Sequence, residues 1–485
     1  MSSNTENGLE AALTSISDVV SSIVFWGPDI AGVKFPFLVA WLGLGALFFS
    51  LYLGFPNIRF LGHAFRCLGN KYDEPDAKGQ TSNFESLSAC LSATIGLGNI
   101  AGVAVAISLG GPGAALWMMI LGVLGMGSKF AEVSMGHKYR QFPDEMRPDE
   151  VSGGPMYYLK EAFNRHKMPV LGKIIAAIFA VTVIGGALGG GNMFQSNQLF
   201  EQTLRATGGE GSFFVGNGWI FGLILALVTG AVILGGLKSI AAVASKLTPV
   251  MAVLYTICGL IVIAVNYANI PDALATIIQS SFSAEAGMGG LVGAIVAGVK
   301  RAAFSNESGL GTAAIIQASA RTNFHVRQGL VGGLGPFFDT VVVCTITALV
   351  IVVSGVYVPG QEVTGIDLTS RAFETVIPWF EYALLICVAL FAFSTIIVYA
   401  YYGEKAVGYL FGDRKSVAMT YRIIYLGFVV LGASASLGVI IDISDALFLS
   451  MAIPNLIGLY LLAPEIKRDL NEYMTLMGEK STKTN

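Results

Sequence analysis

The chain alternates between long apolar stretches and short polar connections, and this pattern predicts its secondary structure. Many apolar stretches approach the roughly 20 residues that a helix needs to cross a bilayer. They occupy residues 33–54, 84–109, 113–136, 171–203, 217–236, 240–266, 288–318, 328–355, 380–403, 420–440 and 443–463. Because lipid offers no hydrogen bonds, a spanning segment of this length is expected to be a helix. We therefore predict an all-α polytopic membrane protein with eleven transmembrane helices.

The same short motif interrupts two of these stretches. Gly-Leu-Gly stands at 96–98 and again at 309–311, followed by Asn99 and by Thr312 respectively. The copies lie in the second and seventh stretches, so a repeated five-helix unit would be inverted between them. Glycine-interrupted helices at corresponding places of two halves are typical of secondary-transporter binding sites. Close helix packing is the alternative explanation, and the motif alone leaves both open.

A helix broken inside the membrane exposes backbone groups that a ligand can satisfy. N–H groups at the start of a half-helix favour a carboxylate, whereas free carbonyl groups favour an ammonium group or Na⁺. A zwitterionic amino acid needs both kinds of group. If the motifs mark breaks, they therefore predict a site that fits an amino acid.

Composition supports a membrane protein and excludes other classes. Hydrophobic residues make up 54% of the 485 residues, charged residues only 13%, and the mean hydropathy is +0.67. A soluble protein of this length cannot bury so much apolar surface. The net charge of −3, without a basic tract, gives no indication of nucleic-acid binding. Five scattered cysteines form no CxxC pair and are expected to be apolar fillers: Cys67, Cys90, Cys258, Cys344 and Cys387.

Lysine and arginine predict the orientation. With the N-terminus outside, the basic residues concentrate in the predicted cytoplasmic segments, above all in 137–173. The outside segments contain only Lys34, Arg205 and Arg371, and an odd helix count then places the C-terminus in the cytoplasm. Three amphipathic stretches are predicted to be helices lying along the membrane surface: 8–26, 58–68 and 154–163.

Several motifs together resemble those of one family. They are "SATIGLGNIAGVAVAISLGGPGAALWM" (92–118), "GGPMYYL" (153–159), "GNMFQSNQ" (191–198), "FSNESGLGTAA" (304–314) and "FAFSTIIVYAYYGEK" (391–405). Over about residues 30–465 the chain resembles the sodium/alanine (alanine-or-glycine:cation) symporter family. That family belongs to the amino-acid transporter superfamily with the leucine-transporter fold. The resemblance implies one extra N-terminal helix and then a five-plus-five inverted repeat, with core helices one and six broken.

The resemblance also implies a function. We expect a sodium-coupled symporter that imports small neutral amino acids, such as alanine or glycine, by alternating access. It would be a monomer without a cofactor in the plasma membrane (a bacterial inner membrane), with Na⁺ as the coupling ion. The expected units are an extracytoplasmic amphipathic segment, the extra helix, a cytoplasmic interfacial segment, the two repeats and a cytoplasmic tail: 1–30, 31–55, 56–82, 83–266, 267–464 and 465–485.

The substrate site implied by the resemblance draws on four core helices. Its expected residues are Thr94, Gly96, Leu97, Gly98, Asn99, Gln195, Phe304, Ser305, Thr395 and Tyr399. Amides of 96–98 would bind the substrate carboxylate. Core helix six would be broken just after Phe304, and carbonyls near Phe304 and Ser305 would bind the ammonium group. Asn99 would brace the first break or bind a second ion.

Some of these residues have a simpler explanation. Ser305 is a candidate N-cap of the half-helix after the break, with Glu307 in its first turn. Gln195, like its neighbours Asn192 and Asn197, is also a candidate for hydrogen bonding between helices.

The implied sodium site is a cage of oxygen atoms. It would combine the carbonyls of Ser92 and Ile95 with the hydroxyls of Ser394 and Thr395. The alternative is that both hydroxyls bond to carbonyls of their own helix. One departure from the family pattern is Tyr399, where tryptophan is usual, and it implies altered substrate selectivity.

Charged residues within apolar stretches need partners. Glu132, Lys300 and Arg301 are such residues, and Asp339 is the predicted partner of Lys300 or Arg301. Internal ion pairing and a role in coupling or gating are the two explanations.

Other functions find less support. An ion channel would need a filter-like repeat, and an enzyme a catalytic set, and the sequence has neither. A transporter of larger neutral amino acids, such as serine or glutamine, is an alternative. Proton coupling is another, but it needs a titratable residue at the site, and the proposed cage contains only hydroxyls and carbonyls.

Overall fold

The computed structural model describes residues 15, 18–30, 32–69, 72, 74, 76–142, 151–283, 290–360, 365–376, 379–435 and 437–482. Most of them are helical, as predicted. One two-residue antiparallel pair, β1 (Asp29–Ile30) with β2 (Val33–Lys34), departs from the all-α expectation. About half of the predicted helix at 8–26 lies outside the described residues, and the described part is helical from 18 to 24.

The long described helices overlap the predicted apolar stretches, whereas the shorter helices Ile270–Phe282 and Ile366–Glu374 lie between them. The helices are α1 (Phe37–Tyr52), α2 (Pro56–Arg59), α3 (Leu61–Leu68), α4 (Asn83–Thr94), α5 (Ala101–Gly110), α6 (Ala114–Lys138), α7 (Pro155–Arg165), α8 (Pro169–Leu188), α9 (Phe194–Ala206), α10 (Gly218–Ile233), α11 (Gly236–Val265), α12 (Ile270–Phe282), α13 (Gly290–Asn306), α14 (Ala313–Gln317), α15 (His325–Gly332), α16 (Thr345–Val353), α17 (Ile366–Glu374), α18 (Phe380–Phe411), α19 (Lys415–Ser434), α20 (Leu437–Leu449) and α21 (Ala452–Thr482). A π-helical turn joins α8 to α9 at Gly189–Met193, and another, Phe337–Cys344, precedes α16.

Seven described helices are long and apolar enough to cross a bilayer. They are Ala114–Lys138, Pro169–Ala206, Gly236–Val265, His325–Val353, Phe380–Phe411, Lys415–Ser434 and Ile440–Met477. A bent pair, Asn83–Thr94 with Leu97–Gly110, raises the number to eight, and α1 and α10 are shorter apolar helices. A multi-pass helical membrane protein is therefore confirmed, whereas the total of eleven stays a prediction.

The first break lies where the first Gly-Leu-Gly motif predicts it. A capping box starts α4, because the Ser82 hydroxyl accepts from the Glu85 N–H (3.1 Å) and the Glu85 carboxylate accepts from the Ser82 N–H (2.8 Å). The helix ends at Thr94, a 3₁₀ turn covers Leu97–Asn99, and the chain resumes as α5 after a bend of 55°. We call α4, this turn and α5 the first broken helix.

The second break lies later than predicted. α13 continues past Phe304 to Asn306, and α14 begins only at Ala313. Ser305 is therefore inside α13 and does not cap the next half-helix, and Glu307 lies in the break rather than in a first turn. The helix stops because the Asn306 side chain accepts from the Ser308 N–H (2.9 Å), which removes a donor from the helical ladder. We call α13, the break and α14 the second broken helix.

The C-terminal helix crosses a predicted boundary. α21 runs from Ala452 to Thr482, through the position where the tail was expected to start. Glu465 and Asp469 on this helix are almost buried, and both pair with Lys138 at the end of α6. This part of the chain therefore packs on the helical bundle.

Candidate binding site at the two helix breaks

The two breaks face each other across a small cavity. Its volume of about 10 Å³ is close to the space that one water molecule needs. The first broken helix, the π-helical turn with α9, the second broken helix, α18 and α20 all contribute to its wall. The lining residues are Ala93, Thr94, Gly96, Gly98, Gly190, Gln195, Phe304, Glu307, Thr395, Tyr399 and Phe448. Of the predicted substrate residues, only Leu97, Asn99 and Ser305 are not among them.

Side chains hold the first break open. The Gly96 N–H donates to the Asn99 side-chain oxygen (2.9 Å), and the Leu97 N–H donates to the Gln195 side-chain oxygen (3.2 Å). The Asn99 amide nitrogen in turn donates to the Asp339 carboxylate (2.6 Å). Asn99 therefore braces the break. The Gln195 side-chain oxygen occupies the position in which an anionic oxygen could accept from the Leu97 N–H.

Glycine is required at position 96 for steric reasons. A Cβ atom there would lie 2.6 Å from the Thr395 hydroxyl oxygen, closer than Cβ atoms approach other atoms. A Cβ at Gly98 would lie 3.3 Å from the Ser305 Cα. The motif therefore serves both functions considered for it, because the glycines allow close approach at the point where the helix is broken.

A buried ion pair holds the second break open. The Glu132 carboxylate accepts from the N–H groups of Gly309 (3.2 Å) and Gly311 (3.0 Å), and it pairs with Lys129 one turn away on α6 (3.3 Å). Both charged side chains are fully buried. Gly309 and Gly311 have φ values of +85° and +86°, which favour glycine. Lys129 also donates to the Glu307 carbonyl (3.2 Å). Side chains of α6 therefore bond to the backbone at the start of the break, at Glu307, and near its end, at Gly311.

The carbonyls predicted to bind an ammonium group lose their helical donors. In a continuous helix, Phe304 and Ser305 would accept from the N–H groups of Ser308 and Gly309. Those N–H groups bond instead to the side chains of Asn306 and Glu132. The last turn of α13 thus ends in carbonyl groups released from the helix, next to the cavity.

Glu307 also lines the cavity, although the list of predicted substrate residues did not include it. Its carboxylate accepts hydrogen bonds from the hydroxyls of Thr312 and Tyr399. Only 1% of the residue is exposed to solvent, and it lines the cavity. The signal for it was present, since an acidic residue beside a glycine motif in an apolar stretch is a functional candidate by default.

Three of the four predicted sodium ligands come together. The hydroxyls of Ser394 and Thr395 lie 3.3 and 3.1 Å from the Ser92 carbonyl oxygen, next to the first break. Ser394 also donates to the Phe391 carbonyl of its own helix (3.0 Å), so the alternative explanation holds for part of its bonding. Ile95 makes no hydrogen bond to either hydroxyl among the residues that the structure describes.

The predicted partner of Lys300 and Arg301 is wrong. Both side chains pair with Asp445 on α20, Lys300 at 2.8 Å, and the Arg301 guanidinium lies 5.2 Å from the centre of the Phe304 ring. Asp339 instead accepts from Ser305, Thr340 and Asn99, because it lies next to both broken helices. Internal ion pairing of Lys300 and Arg301 is therefore confirmed, but their partner is Asp445 and not Asp339.

The remaining side-chain amides join helices. Asn192 donates to the Tyr425 carbonyl on α19 (2.7 Å), and Asn197 donates to the Gly432 carbonyl on the same helix (3.2 Å). Gln195 differs from them, since its side chain faces the cavity and donates to the Gly190 carbonyl (2.9 Å).

Comparison with known proteins identifies the family. Residues 18–485 match the model of the sodium:alanine symporter family. The chain belongs to this family. It is 42% identical to the sodium/alanine symporter AgcS of Methanococcus maripaludis over 452 residues, 93% of this chain and 94% of that protein. It is 34% identical to the probable sodium/glutamine symporter GlnT of Bacillus subtilis over 430 residues, 88% of this chain and 85% of that protein.

A solved structure supports the fold of this family member. The crystal structure of MhsT in complex with L-phenylalanine superposes with a TM-score of 0.53 at 16% identity, over 81% of this chain and 98% of that one. At this identity the match establishes the fold alone, which is the leucine-transporter fold. The family, the fold and a role as a multi-pass amino-acid symporter rather than an enzyme, each expected from the sequence, are therefore confirmed.

Proposed function

We propose that the protein is a sodium-coupled symporter that imports small neutral amino acids by alternating access. It would have eleven transmembrane helices, of which the last ten form an inverted repeat around the two breaks. The N-terminus would lie outside and the C-terminus in the cytoplasm. The observation that carries the proposal is the meeting of the two breaks, which offers amides on one side and released carbonyls on the other.

The proposed substrate pose follows from these backbone groups. The carboxylate would bind the amides of Gly96–Gly98 and displace the Gln195 oxygen from the Leu97 N–H. The ammonium group would bind the carbonyls of Phe304 and Ser305. The rings of Phe304, Phe448 and Tyr399 border the cavity, so a substrate with a small side chain would displace them least. Uptake of labelled alanine, glycine, serine and glutamine into proteoliposomes under an inward Na⁺ gradient tests this; preference for glutamine would contradict it.

The sodium ion would bind between Ser92, Ser394 and Thr395. Thr395→Val removes one ligand oxygen at nearly constant volume, so we expect the Na⁺ concentration for half-maximal uptake to rise about tenfold. Thr182→Val is the matched control, since the Thr182 hydroxyl bonds to the Phe179 carbonyl of its own helix. An unchanged Na⁺ requirement in Thr395→Val, or uptake that ignores Na⁺, would exclude this cage.

A second candidate function is proton co-transport, and the position of Glu307 favours it. The cavity contains a titratable group after all, joined by hydrogen bonds to Tyr399 and Thr312. Under this hypothesis, amino-acid uptake acidifies the vesicle interior, and Glu307→Gln abolishes the acidification. A pH-sensitive dye trapped in proteoliposomes reports it; the same acidification in Glu307→Gln would exclude Glu307 as the proton carrier.

A further inference from the structure

A second, larger cavity lies away from the breaks. Its volume is about 350 Å³, within the range of small-molecule sites, and its wall is almost entirely apolar. It is a groove between α4, α11 and the π-helical turn before α16. Its wall includes Leu87, Leu91 and Ile95 on the α4 side, Pro249 and Val253 on α11, and Val342 opposite them.

The groove opens towards the bilayer. Val253 and Ile257 on its rim are 57% and 52% exposed, although they belong to a membrane-spanning helix. At one end the groove begins at Leu68 of α3 and Phe84, near the start of α4, and at the other it reaches Ile95 at the first break. From Phe84 to Ile95 a helix rises about 16 Å, which is close to half of the roughly 30 Å hydrocarbon core. The groove therefore spans one leaflet.

Basic residues lie near the end of the groove that Leu68 and Phe84 form. Lys246 is one turn before Pro249 on α11, and the spacing 246, 249, 253 and 257 places it on the face that lines the groove. Arg66, on α3, is near Leu68 at the same end. Both side chains are exposed, and neither forms an ion pair with another described residue. In the proposed topology this end meets the cytoplasmic leaflet, where anionic head groups attract basic residues.

We propose that this groove binds one anionic phospholipid of the leaflet at which α4 begins. One acyl chain fills the apolar groove up to Ile95, and the phosphate lies between Lys246 and Arg66. The chain contacts the half-helix that carries Ser92 and Thr94, which the Thr248 hydroxyl already fastens to α11 through the Ser88 carbonyl (3.0 Å). The bound lipid thus holds the first half of the first broken helix against α11.

Lipid retention tests the acyl-chain site without reference to transport. The full-length protein is purified in detergent from membranes that contain phosphatidylglycerol, and native mass spectrometry measures the bound lipid. Ala252→Trp fills the groove, whereas Val250→Trp adds the same ring two residues away on the lipid-facing side. We expect bound phosphatidylglycerol in the wild type and in Val250→Trp, and its loss in Ala252→Trp. Equal retention in both variants would overturn the proposal.

The head-group contact has its own test, which does not depend on folding of the tryptophan variants. Lys246→Gln should weaken phosphatidylglycerol retention about fivefold, the contribution of one basic residue near an anionic surface. Lys173→Gln, an exposed lysine on α8, is the matched control and should retain the lipid. Unchanged retention in Lys246→Gln would overturn the anionic character of the ligand.

Discussion

Glu132→Ala is expected to abolish uptake and to lower the free energy of unfolding by about 3–5 kcal/mol. The variant leaves Lys129 as an unpaired charge in a fully buried position, and it leaves the amides of Gly309 and Gly311 without an acceptor. The break in the second broken helix would then lose its support on α6. Thermal unfolding in detergent and uptake into proteoliposomes measure the two effects.

A double variant distinguishes the effect of the unpaired Lys129 charge on stability from the effect of losing the acceptor for the glycine amides on uptake. Lys129→Met with Glu132→Met removes both charges at similar volume, and such replacements often leave stability nearly unchanged. We therefore expect the unfolding temperature to recover in large part, while uptake stays at background, because no side chain accepts from the glycine amides. If the double variant transports like the wild type, the carboxylate does not hold the break.

Arg140→Ala is expected to open the face of the protein at which α4 begins. There, residues 78–81 pair with residues 318–322, as in the hydrogen bond from the Gln80 N–H to the Ser319 carbonyl (2.8 Å). The Arg140 guanidinium spans this pairing: it donates to the carbonyls of Lys78 (2.9 Å), Ala318 (2.8 Å), Ala320 (2.7 Å) and Thr322 (3.3 Å). Since these segments lead into α4 and out of α14, their separation would free the ends of both broken helices.

The expected effect is large because all four acceptors bond to one cation. Bonds to charged groups contribute about 1.5–3 kcal/mol each, so a net loss of about 3 kcal/mol would favour the open state roughly 100-fold. Burial lowers the pKa of Arg140 to about 10, so the side chain stays protonated at neutral pH and the effect should not depend on pH there.

Thiol labelling measures this opening. Ser319→Cys places a thiol at a buried position of the pairing, and an impermeant reagent is added on the side at which α4 begins. We expect much faster labelling when Arg140→Ala is also present. Arg165→Ala is the control, because Arg165 pairs with Glu161 and Glu465 and does not touch the paired segments. Equal labelling rates in the two variants would mean that Arg140 does not close this face.

Much of the architecture follows from local sequence patterns. The long described helices overlap the predicted apolar stretches, and the bend in the first broken helix coincides with the Gly-Leu-Gly motif at 96–98. The second Gly-Leu-Gly motif, at 309–311, has a different backbone conformation although its sequence is the same. Its two glycines adopt positive φ in a longer break that includes a turn at residues 308–310, whereas residues 97–99 form a 3₁₀ turn. The difference arises because Glu132 binds two amides of the second copy, and Asn99 and Gln195 bind those of the first.

The wrong predictions concern partners that are distant in sequence. Ser305 was given a capping role because the break was expected just after Phe304, but the end of α13 depends on Asn306 and on Glu132, which is 177 residues from Gly309. Asp339 was matched to Lys300 and Arg301 by charge alone, yet Asp445 lies 144 residues from Arg301 along the chain and next to it in space.

The sequence by itself determined a helical membrane transporter, its family, the first break and most of the residues that line the cavity. These features depend on hydropathy, on glycine and on motif order, which are local properties of the chain. Only the tertiary structure decided where the second break begins, that Glu307 reaches the cavity, and which acid pairs with each buried base. Those choices depend on which helices pack together, because a buried polar group is stabilised only by a partner within hydrogen-bond distance.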